Sequence, residues 1–292
     1  MRADPAEYEL VAPGKLGAVL DLLASAPGEW TPIAGGTDIM VLYAAGRLQA
    51  RKLVSISSLP KLRAIEVTPN EIHVGSGCTY TNLRQHPVIS AEFPLLARSA
   101  AWTGGIANQN RGTLGGNIAN ASPAGDSLPV LLAYNAALIL VSAKGQRRIP
   151  YSTYHTGYKK SLLAPDELIA SVCLKRDYAN HVGYARKVGA RNAQAISKLF
   201  LAALARTSDG KIEDIRLAAG AVGPIPLRLT NTESALTNQV IDNPLLEHAA
   251  NVLAEEIRPI DDIRSTAKYR TAVLYNLLRE FLQSLPGARL LP

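Results

Sequence analysis

One segment of this 292-residue chain differs from the rest: residues 103–126, with the sequence TGGIANQNRGTLGGNIANASPAGD. It holds six of the 22 glycines of the chain, and its only charged residues are Arg111 and Asp126. Such a span, within a chain that is 47% hydrophobic, is not core sequence. It predicts a backbone that bends to approach a ligand closely, and a long loop without a clear helix or strand pattern is typical of function.

A second glycine pair lies in residues 32–38, PIAGGTD. Residues 30–34 before it form a strand pattern, and residues 38–45 after it form a helix pattern. A strand, a glycine turn and a helix together place free backbone N–H groups where they can bind an anion. A tight turn without a ligand is the alternative for this loop taken alone.

The longer segment repeats the combination of a threonine with a glycine pair, in Thr113 and Gly115–Gly116. Its neutral side chains, Asn117, Asn120 and Ser122, suit a heterocycle or a sugar better than a bare ion. Asp126 is suited to bind a sugar hydroxyl or to cap the helix that follows. We therefore predict that both segments hold one phosphate-bearing cofactor.

Composition and charge exclude several other functions. The net charge is +7, but the Lys and Arg residues are scattered without interleaved aromatic residues, which argues against nucleic-acid binding. No apolar window is long enough for a membrane span, and the N-terminus carries acids where a signal peptide would be basic and apolar. Two cysteines indicate a reducing, cytoplasmic location and cannot ligate an iron–sulfur cluster.

The familiar catalytic and nucleotide-binding motifs are missing. The sequence has no G-x-G-x-x-G after a strand, no P-loop lysine, no G-x-S-x-G and no H-E-x-x-H. Its five histidines do not cluster, so we expect no metal site and no catalytic acid–base residue. These observations point to redox chemistry supplied by an organic cofactor.

Segments with strand patterns and segments with helix patterns follow one another along the chain. Residues 195–206 are apolar and fit either a helix or a strand, and we favour a strand because Asp209–Gly210 signals a hairpin. Residues 265–285 predict a long helix with one apolar face. The predicted face consists of Tyr269, Val273, Leu277, Phe281 and Leu285.

Three motifs together carry a family resemblance that nearly spans the chain: GGTD at 35–38, RGTLGGNIANASPAGD at 111–126 and HTGYKKSLLAPDELI at 155–169. They resemble the FAD-binding medium subunit of molybdenum hydroxylases of the xanthine dehydrogenase and carbon monoxide dehydrogenase type. The resemblance implies an α+β fold, with a two-lobed FAD-binding (PCMH-type) domain in residues 1–177 whose lobes lie at about 1–56 and 57–177. A small α+β flavoprotein C-terminal domain in residues 178–292 would follow.

The resemblance also implies which residues bind FAD. The pyrophosphate would contact the loop formed by Thr31, Pro32, Ile33, Ala34, Gly35, Gly36, Thr37 and Asp38. A second clamp would be formed by Thr113, Leu114, Gly115, Gly116 and Asn117, with Asn120 beside it. Asp126 would bind a sugar or ribityl hydroxyl, Ile169 and Lys187 would lie by the flavin, and Trp102 and Thr103 lie where relatives shield the ring. Gln109 replaces an arginine common in the family.

By the same resemblance, the chain is expected to relay electrons from 2Fe–2S clusters on a small subunit, through FAD, to NAD+ or another acceptor. The substrate would be hydroxylated on a molybdopterin-binding large subunit, and the assembly would be a dimer of heterotrimers. Two alternatives stay open: a stand-alone FAD oxidase or dehydrogenase of the same fold, and a scaffold subunit without cofactor.

Overall fold

The computed structural model describes residues 4–191 and 194–289. The predicted domains also extend over residues 1–3, 192–193 and 290–292, which lie outside the described residues. Three sheets and a short hairpin follow one another along the chain, with helices between their strands, so the predicted α+β class is confirmed.

The first sheet is parallel and has the strand order β1-β3-β2, formed by β1 (Glu9–Val11), β2 (Trp30–Ile33) and β3 (Lys52–Ser55). Helices α1 (Leu16–Ser25) and α2 (Ile39–Ala44) connect these strands. Val19 and Leu23 lie four residues apart on α1 and are buried against Val54 of the central strand. This small lobe positions the β2–α2 loop at one end of its sheet.

The second sheet is antiparallel and has the order β4-β5-β10-β6-β7. Its strands are β4 (Ile65–Val67), β5 (Glu71–Gly75), β6 (Ala137–Ser142), β7 (Gly145–Pro150) and β10 (Leu168–Lys175). In β5, Ile72 and Val74 are buried, and the alternate residues Glu71 and His73 lie on the other face. The sheet therefore has one face in the main core and one outer face.

Six helices connect β5 to β6 and cover the inner face of the second sheet: α4 (Tyr80–Gln85), α5 (Pro87–Glu92), α6 (Pro94–Trp102), α7 (Ile106–Arg111), α8 (Leu114–Asn120) and α9 (Ser127–Ala133). The short helix α3 (Pro60–Arg63) precedes β4, and a hairpin of β8 (His155–Gly157) and β9 (Lys160–Ser161) lies between β7 and β10. The expectation that residues 103–126 lack secondary structure was wrong, since they contain α7 and α8. Glycine and asparagine lower helix propensity, but here Thr113 caps α8 and tertiary contacts hold both helices in place.

The C-terminal sheet has the order β11-β12-β13-β14 and is antiparallel: β11 (Val182–Val188), β12 (Leu199–Ser208), β13 (Lys211–Gly220) and β14 (Leu227–Arg228). Helices α10 (Thr230–Leu236), α11 (Asn243–Glu256) and α12 (Ala267–Gln283) follow it. On β12, Phe200, Ala202 and Leu204 face the core of the second sheet, while the residues between them face the C-terminal helices. Burial on both faces explains why this strand reads as a continuous apolar run.

The apolar face predicted for α12 is largely correct, with Leu277 and Phe281 buried, and Leu285 is buried just beyond the end of the helix. Tyr269 is an exception, because it is 43% exposed, and its neighbour Arg270 is buried instead. The Arg270 guanidinium donates to the carbonyls of Lys198 and Ala221 and to the Asp262 carboxylate, which satisfies the buried charge. The sequence pattern treated only apolar residues as core, so it could not identify a buried arginine.

Candidate functional site

The β2–α2 loop is an array of unpaired amides. Among the described residues, no acceptor receives a hydrogen bond from the backbone N–H groups of Gly35, Gly36, Thr37 or Asp38. Gly36 has φ +75°, a conformation that residues with a side chain rarely adopt. Thr37 and Asp38 are exposed. Successive free amides in such a turn form a concave site for an anion.

The two glycine segments, although far apart in sequence, meet in space. A Cβ built on Gly35 would lie 1.7 Å from the carbonyl oxygen of Arg111, so only glycine fits there. Arg111 also donates through Nε to the Gly35 carbonyl at 3.1 Å. The predicted proximity of the two segments therefore follows from a direct backbone contact between them.

The longer glycine segment, residues 103–126, is anchored by the strand end and turn of residues 75–78. The amide of Leu114 donates to the Cys78 carbonyl, and the amide of Gly115 donates to the Ser76 carbonyl at 2.8 Å. Thr113 accepts from the Gly116 amide and so caps α8. Leu114 is fully buried, which makes it an anchor for α8.

The two adjacent glycines in α8 have different surroundings. A Cβ at Gly115 would lie 2.4 Å from the Ser76 Cβ and 2.8 Å from its carbonyl oxygen, so Gly115 is required for packing. Gly116 is exposed, and a Cβ there would meet only the hydroxyl of Thr113, at 2.9 Å. Of the two, only Gly116 presents its backbone to the outside of the helix.

Polar side chains bridge α8 to the neighbouring segments. Asn120 donates to the Asp38 carboxylate at 3.4 Å, and Lys159 at the tip of the β8–β9 hairpin lies 3.5 Å from the Asn120 carbonyl oxygen. Asn117 accepts a hydrogen bond from the Ser127 hydroxyl at 2.7 Å. The loop, α8 and the hairpin thus meet around one partly exposed area that contains Arg111 and Lys159 as cations.

Asp126 and Lys187 form a buried ion pair. The Lys187 Nζ lies 2.6 Å from one carboxylate oxygen and also donates to the Trp102 carbonyl at 2.9 Å. The Ser197 hydroxyl donates to the other carboxylate oxygen at 2.5 Å. Burial raises the pKa of Asp126, and the Lys187 ammonium opposes that rise. The side chain of Asp126 makes no cap for α9, so the helix-cap alternative is not what the structure has.

The remaining predicted residues lie around this pair or behind it. Trp102 packs edge-to-face on Phe200, and the Thr103 hydroxyl donates to the Ser99 carbonyl. Ile169 is buried in β10 opposite Leu140. Of the residues predicted to form the first loop, Thr31, Pro32 and Ile33 belong to β2, and Ala34 follows the end of that strand.

Gln109 has a structural position. It is buried, accepts a hydrogen bond from Arg84 at 2.6 Å and donates to the Ala101 carbonyl at 2.9 Å. Gln109 therefore ties α7 to α4 and α6. The guanidinium of Arg84 therefore lies beside the Gln109 amide.

Sequence reasoning missed three residues of the site: Arg111, Ser76 and Ser197. Arg111 stands at the first position of the R-G-T-L-G-G motif, so its place beside the glycines was a usable signal. Ser76 lies in the Gly75–Ser76–Gly77 turn, and its hydroxyl is buried without a partner among the described residues. Ser197 carried no signal, because its role depends on a contact with Asp126, which is 71 residues away.

Two family models match the chain. Residues 6–174 match the FAD binding domain in molybdopterin dehydrogenase, and residues 184–285 match the CO dehydrogenase flavoprotein C-terminal domain. The chain belongs to the FAD-binding subunits of the molybdenum hydroxylase family. It is thus an FAD-binding subunit of an oxidoreductase, as the three motifs indicated.

The chain is similar over nearly its full length to members of this family. It is 29% identical over 287 residues to the xanthine dehydrogenase FAD-binding subunit of Escherichia coli O157:H7, covering 98% of this chain and 97% of that protein. It is 26% identical to the carbon monoxide dehydrogenase medium chain of Hydrogenophaga pseudoflava, covering 96% and 97%. A solved structure of carbon monoxide dehydrogenase from that organism superposes with a TM-score of 0.90, at 26% identity, over 95% and 96% of the two chains.

The names of the relatives also describe the assemblies to which those relatives belong. The Escherichia coli O157:H7 relative is a subunit of xanthine dehydrogenase, and the Hydrogenophaga pseudoflava relative is the medium chain of carbon monoxide dehydrogenase. Among the helices in residues 4–191 and 194–289, none is long and apolar enough to cross a membrane.

Proposed function

We propose that the β2–α2 loop and the start of α8 form a two-part clamp for the pyrophosphate of FAD. The observation that carries this proposal is the set of free amides at Gly35–Asp38, which stand directly against the Arg111–Gly116 segment. The exposed backbone of Gly116 would form the second contact with the pyrophosphate. The hydroxyls of Thr37 and Thr113 lie beside the two glycine pairs. Gly115 and Leu114 would act by holding α8 in place.

The chemistry of these residues fits the cofactor. A pyrophosphate needs several N–H donors and nearby cations, and the area offers unpaired amides together with Arg111 and Lys159. Under α8, the buried Ser76 hydroxyl has no hydrogen-bond partner among the described residues, so it is a further candidate donor at this place. Asn117 and Asn120 suit the neutral sugar and adenine groups.

We propose that the flavin side of the site is built around Asp126 and Lys187. Each Asp126 oxygen accepts one hydrogen bond in the structure and keeps a lone pair for a ribityl hydroxyl. Trp102 and Thr103 lie at the same place, because Lys187 holds the Trp102 carbonyl. Ile169 would pack on the flavin from β10. When bound, FAD supplies one- and two-electron redox chemistry, and these residues orient it and set the charge around it.

We further propose that the chain relays electrons from a 2Fe–2S small subunit, through FAD, to NAD+ or another acceptor. A molybdopterin-binding large subunit would hydroxylate the substrate, and the complex would be a cytoplasmic dimer of heterotrimers. Similarity to the xanthine dehydrogenase and carbon monoxide dehydrogenase subunits supports this assignment. The same similarity supports a domain boundary at residues 177–178, between the two matched ranges.

One purification distinguishes the relay from its two alternatives. The tagged chain, isolated from its native cells, is expected to carry flavin and to bring down molybdenum and iron in proportion to itself. Flavin without molybdenum and iron would favour a stand-alone oxidase or dehydrogenase. The absence of flavin would favour a scaffold. Anaerobic bleaching of the flavin by NADH would then identify the nicotinamide nucleotide as the acceptor.

A further inference from the structure

The outer face of the second sheet carries a cluster of side chains that the FAD site does not use. His73 on β5 and Cys173 on β10 are direct cross-strand partners, and Glu71 lies two residues before His73 on the same face. One donor atom from each of the three lies within 4.8 Å of the others. A carboxylate, an imidazole and a thiol therefore lie close together on this face.

One distance within this cluster matches the spacing of two ligands around a metal ion. The Cys173 Sγ lies 3.4 Å from the His73 Nδ1. The Glu71 carboxylate lies 3.4 Å from the other ring nitrogen, Nε2, so it would have to turn towards the Nδ1 side to bind the same ion. Zinc binds sulfur at about 2.3 Å and imidazole nitrogen at about 2.0–2.1 Å in a tetrahedron, which separates those two ligands by about 3.6 Å. The thiol and the imidazole are thus already spaced as two ligands of one ion.

We propose that Glu71, His73 and Cys173 bind a thiophilic divalent cation of the Zn²⁺ class, with water in the fourth position. Thiolate and imidazole ligands together select such ions over Mg²⁺ or Ca²⁺, which prefer oxygen. Three protein ligands and one exchangeable position complete a tetrahedron. His73 is partly exposed, so an ion has a path to the site from solvent.

Arg148 would compete with the metal ion for the Glu71 carboxylate. Its guanidinium, on β7, binds both carboxylate oxygens of Glu71, at 2.6 Å and 3.0 Å. The Arg148 side chain is 45% exposed, so it has room to swing into solvent when a metal takes its place. The thiol proton of Cys173 is released to solvent as the Cys173–metal bond forms.

The ion would act as a clip between two central strands. It would link β5 to β10 on the face opposite the main core. A ligand that binds only the folded state stabilises it, so the clip should raise the free energy of unfolding.

Cobalt(II) provides the test, because a tetrahedral Co²⁺–thiolate centre absorbs in the visible region to the red of oxidised flavin. We expect the full-length, FAD-loaded chain to bind one Co²⁺ with this signature, and excess Zn²⁺ to displace it. Cys173→Ser should abolish the signature, whereas Cys78→Ser, at the other cysteine of the chain, should keep it. A wild-type chain without these bands, or a Cys173→Ser variant that retains them, would overturn the proposal.

Two further variants test the ligand set independently of folding. Even the loss of an outer-shell partner of a metal ligand weakens metal binding about 10–100-fold. Because His73 would be a direct ligand, His73→Ala should weaken Co²⁺ binding by about 100-fold or more. Arg148→Gln should tighten binding, because it removes the competing guanidinium, and an unchanged or weaker affinity would contradict that competition. Flavin content, measured on every variant, shows that the fold is intact.

Discussion

The Lys187 ammonium lies 2.6 Å from the Asp126 carboxylate, and this contact joins β11 of the C-terminal domain to the start of α9 in the FAD-binding domain. Both side chains are nearly buried, at 10% and 8% exposure. Ser197, from the segment before β12, completes the contact from the C-terminal side. The pair therefore fixes the orientation of two domains at the place where we put the flavin.

Removing one partner of this pair should be costly. Lys187→Met leaves Asp126 buried without a cation, and we expect a loss of about 3–5 kcal/mol in the free energy of unfolding, together with weaker FAD retention. The double variant Lys187→Met/Asp126→Asn should regain part of that stability. Lys144→Met is the matched control, since Lys144 is 85% exposed and its pair with Asp166 is worth less than about 1 kcal/mol. Denaturant unfolding of the four proteins gives the comparison.

Gly35 should tolerate no side chain. Gly35→Ala places a methyl group against the Arg111 carbonyl, so the two segments of the clamp have to separate, and we expect most bound FAD to be lost. Gly17→Ala is the control, because Gly17 lies in α1 with no atom within 4 Å of the place that a Cβ would take, and alanine is the better helix former. Flavin content per chain and thermal midpoints test both variants. Full flavin content in Gly35→Ala would mean that the contact is not part of the site.

The two glycines of α8 should separate packing from binding. Gly115→Val drives its side chain into the Ser76 backbone and should lower the thermal midpoint of the FAD-free chain. Gly116→Val disturbs only the hydroxyl of Thr113 and should leave that midpoint nearly unchanged while it weakens FAD binding. FAD titrations followed by fluorescence quenching, with melting curves of the FAD-free proteins, measure the two effects. Equal losses of both properties in Gly116→Val would contradict the division.

The stability of the chain should depend on pH through His155. Burial lowers the pKa of His155 to about 4 from 6.5, so between these values the unfolded chain binds a proton that the folded chain does not. The free energy of unfolding therefore falls as pH falls through this window, by up to about 1.4 kcal/mol per pH unit. His155→Gln keeps a hydrogen-bonding group for the Tyr151 hydroxyl and should remove this contribution. Urea unfolding of both proteins at several pH values tests it, and parallel pH profiles would contradict it.

Local patterns in the sequence were enough to predict much of the fold. The strand predicted at residues 30–34 and the helices predicted at 38–45 and 265–285 are present as β2, α2 and α12, with bounds shifted by one or two residues, because their sequence patterns are strong. The hairpin signal of Asp209–Gly210 decided the ambiguous apolar run correctly, and β12 and β13 flank that turn.

The parts that were missed depend on distant contacts. Residues 106–120 become two helices because Thr113 caps one of them and Gln109 ties the other to Arg84. The burial of Arg270 depends on the carbonyls of Lys198 and Ala221, which lie in other elements. The glycine motifs indicated where the candidate site lies. The places of Ser197 and Ser76 beside it follow only from the folded structure.

The visible absorption spectrum of the purified full-length chain, recorded after incubation with FAD and gel filtration, tests the central claim most directly. We predict the two absorption bands of oxidised flavin at one FAD per chain, and their loss in Gly35→Ala while the Gly17→Ala control keeps them. A folded wild-type chain that emerges colourless from this procedure would contradict the account.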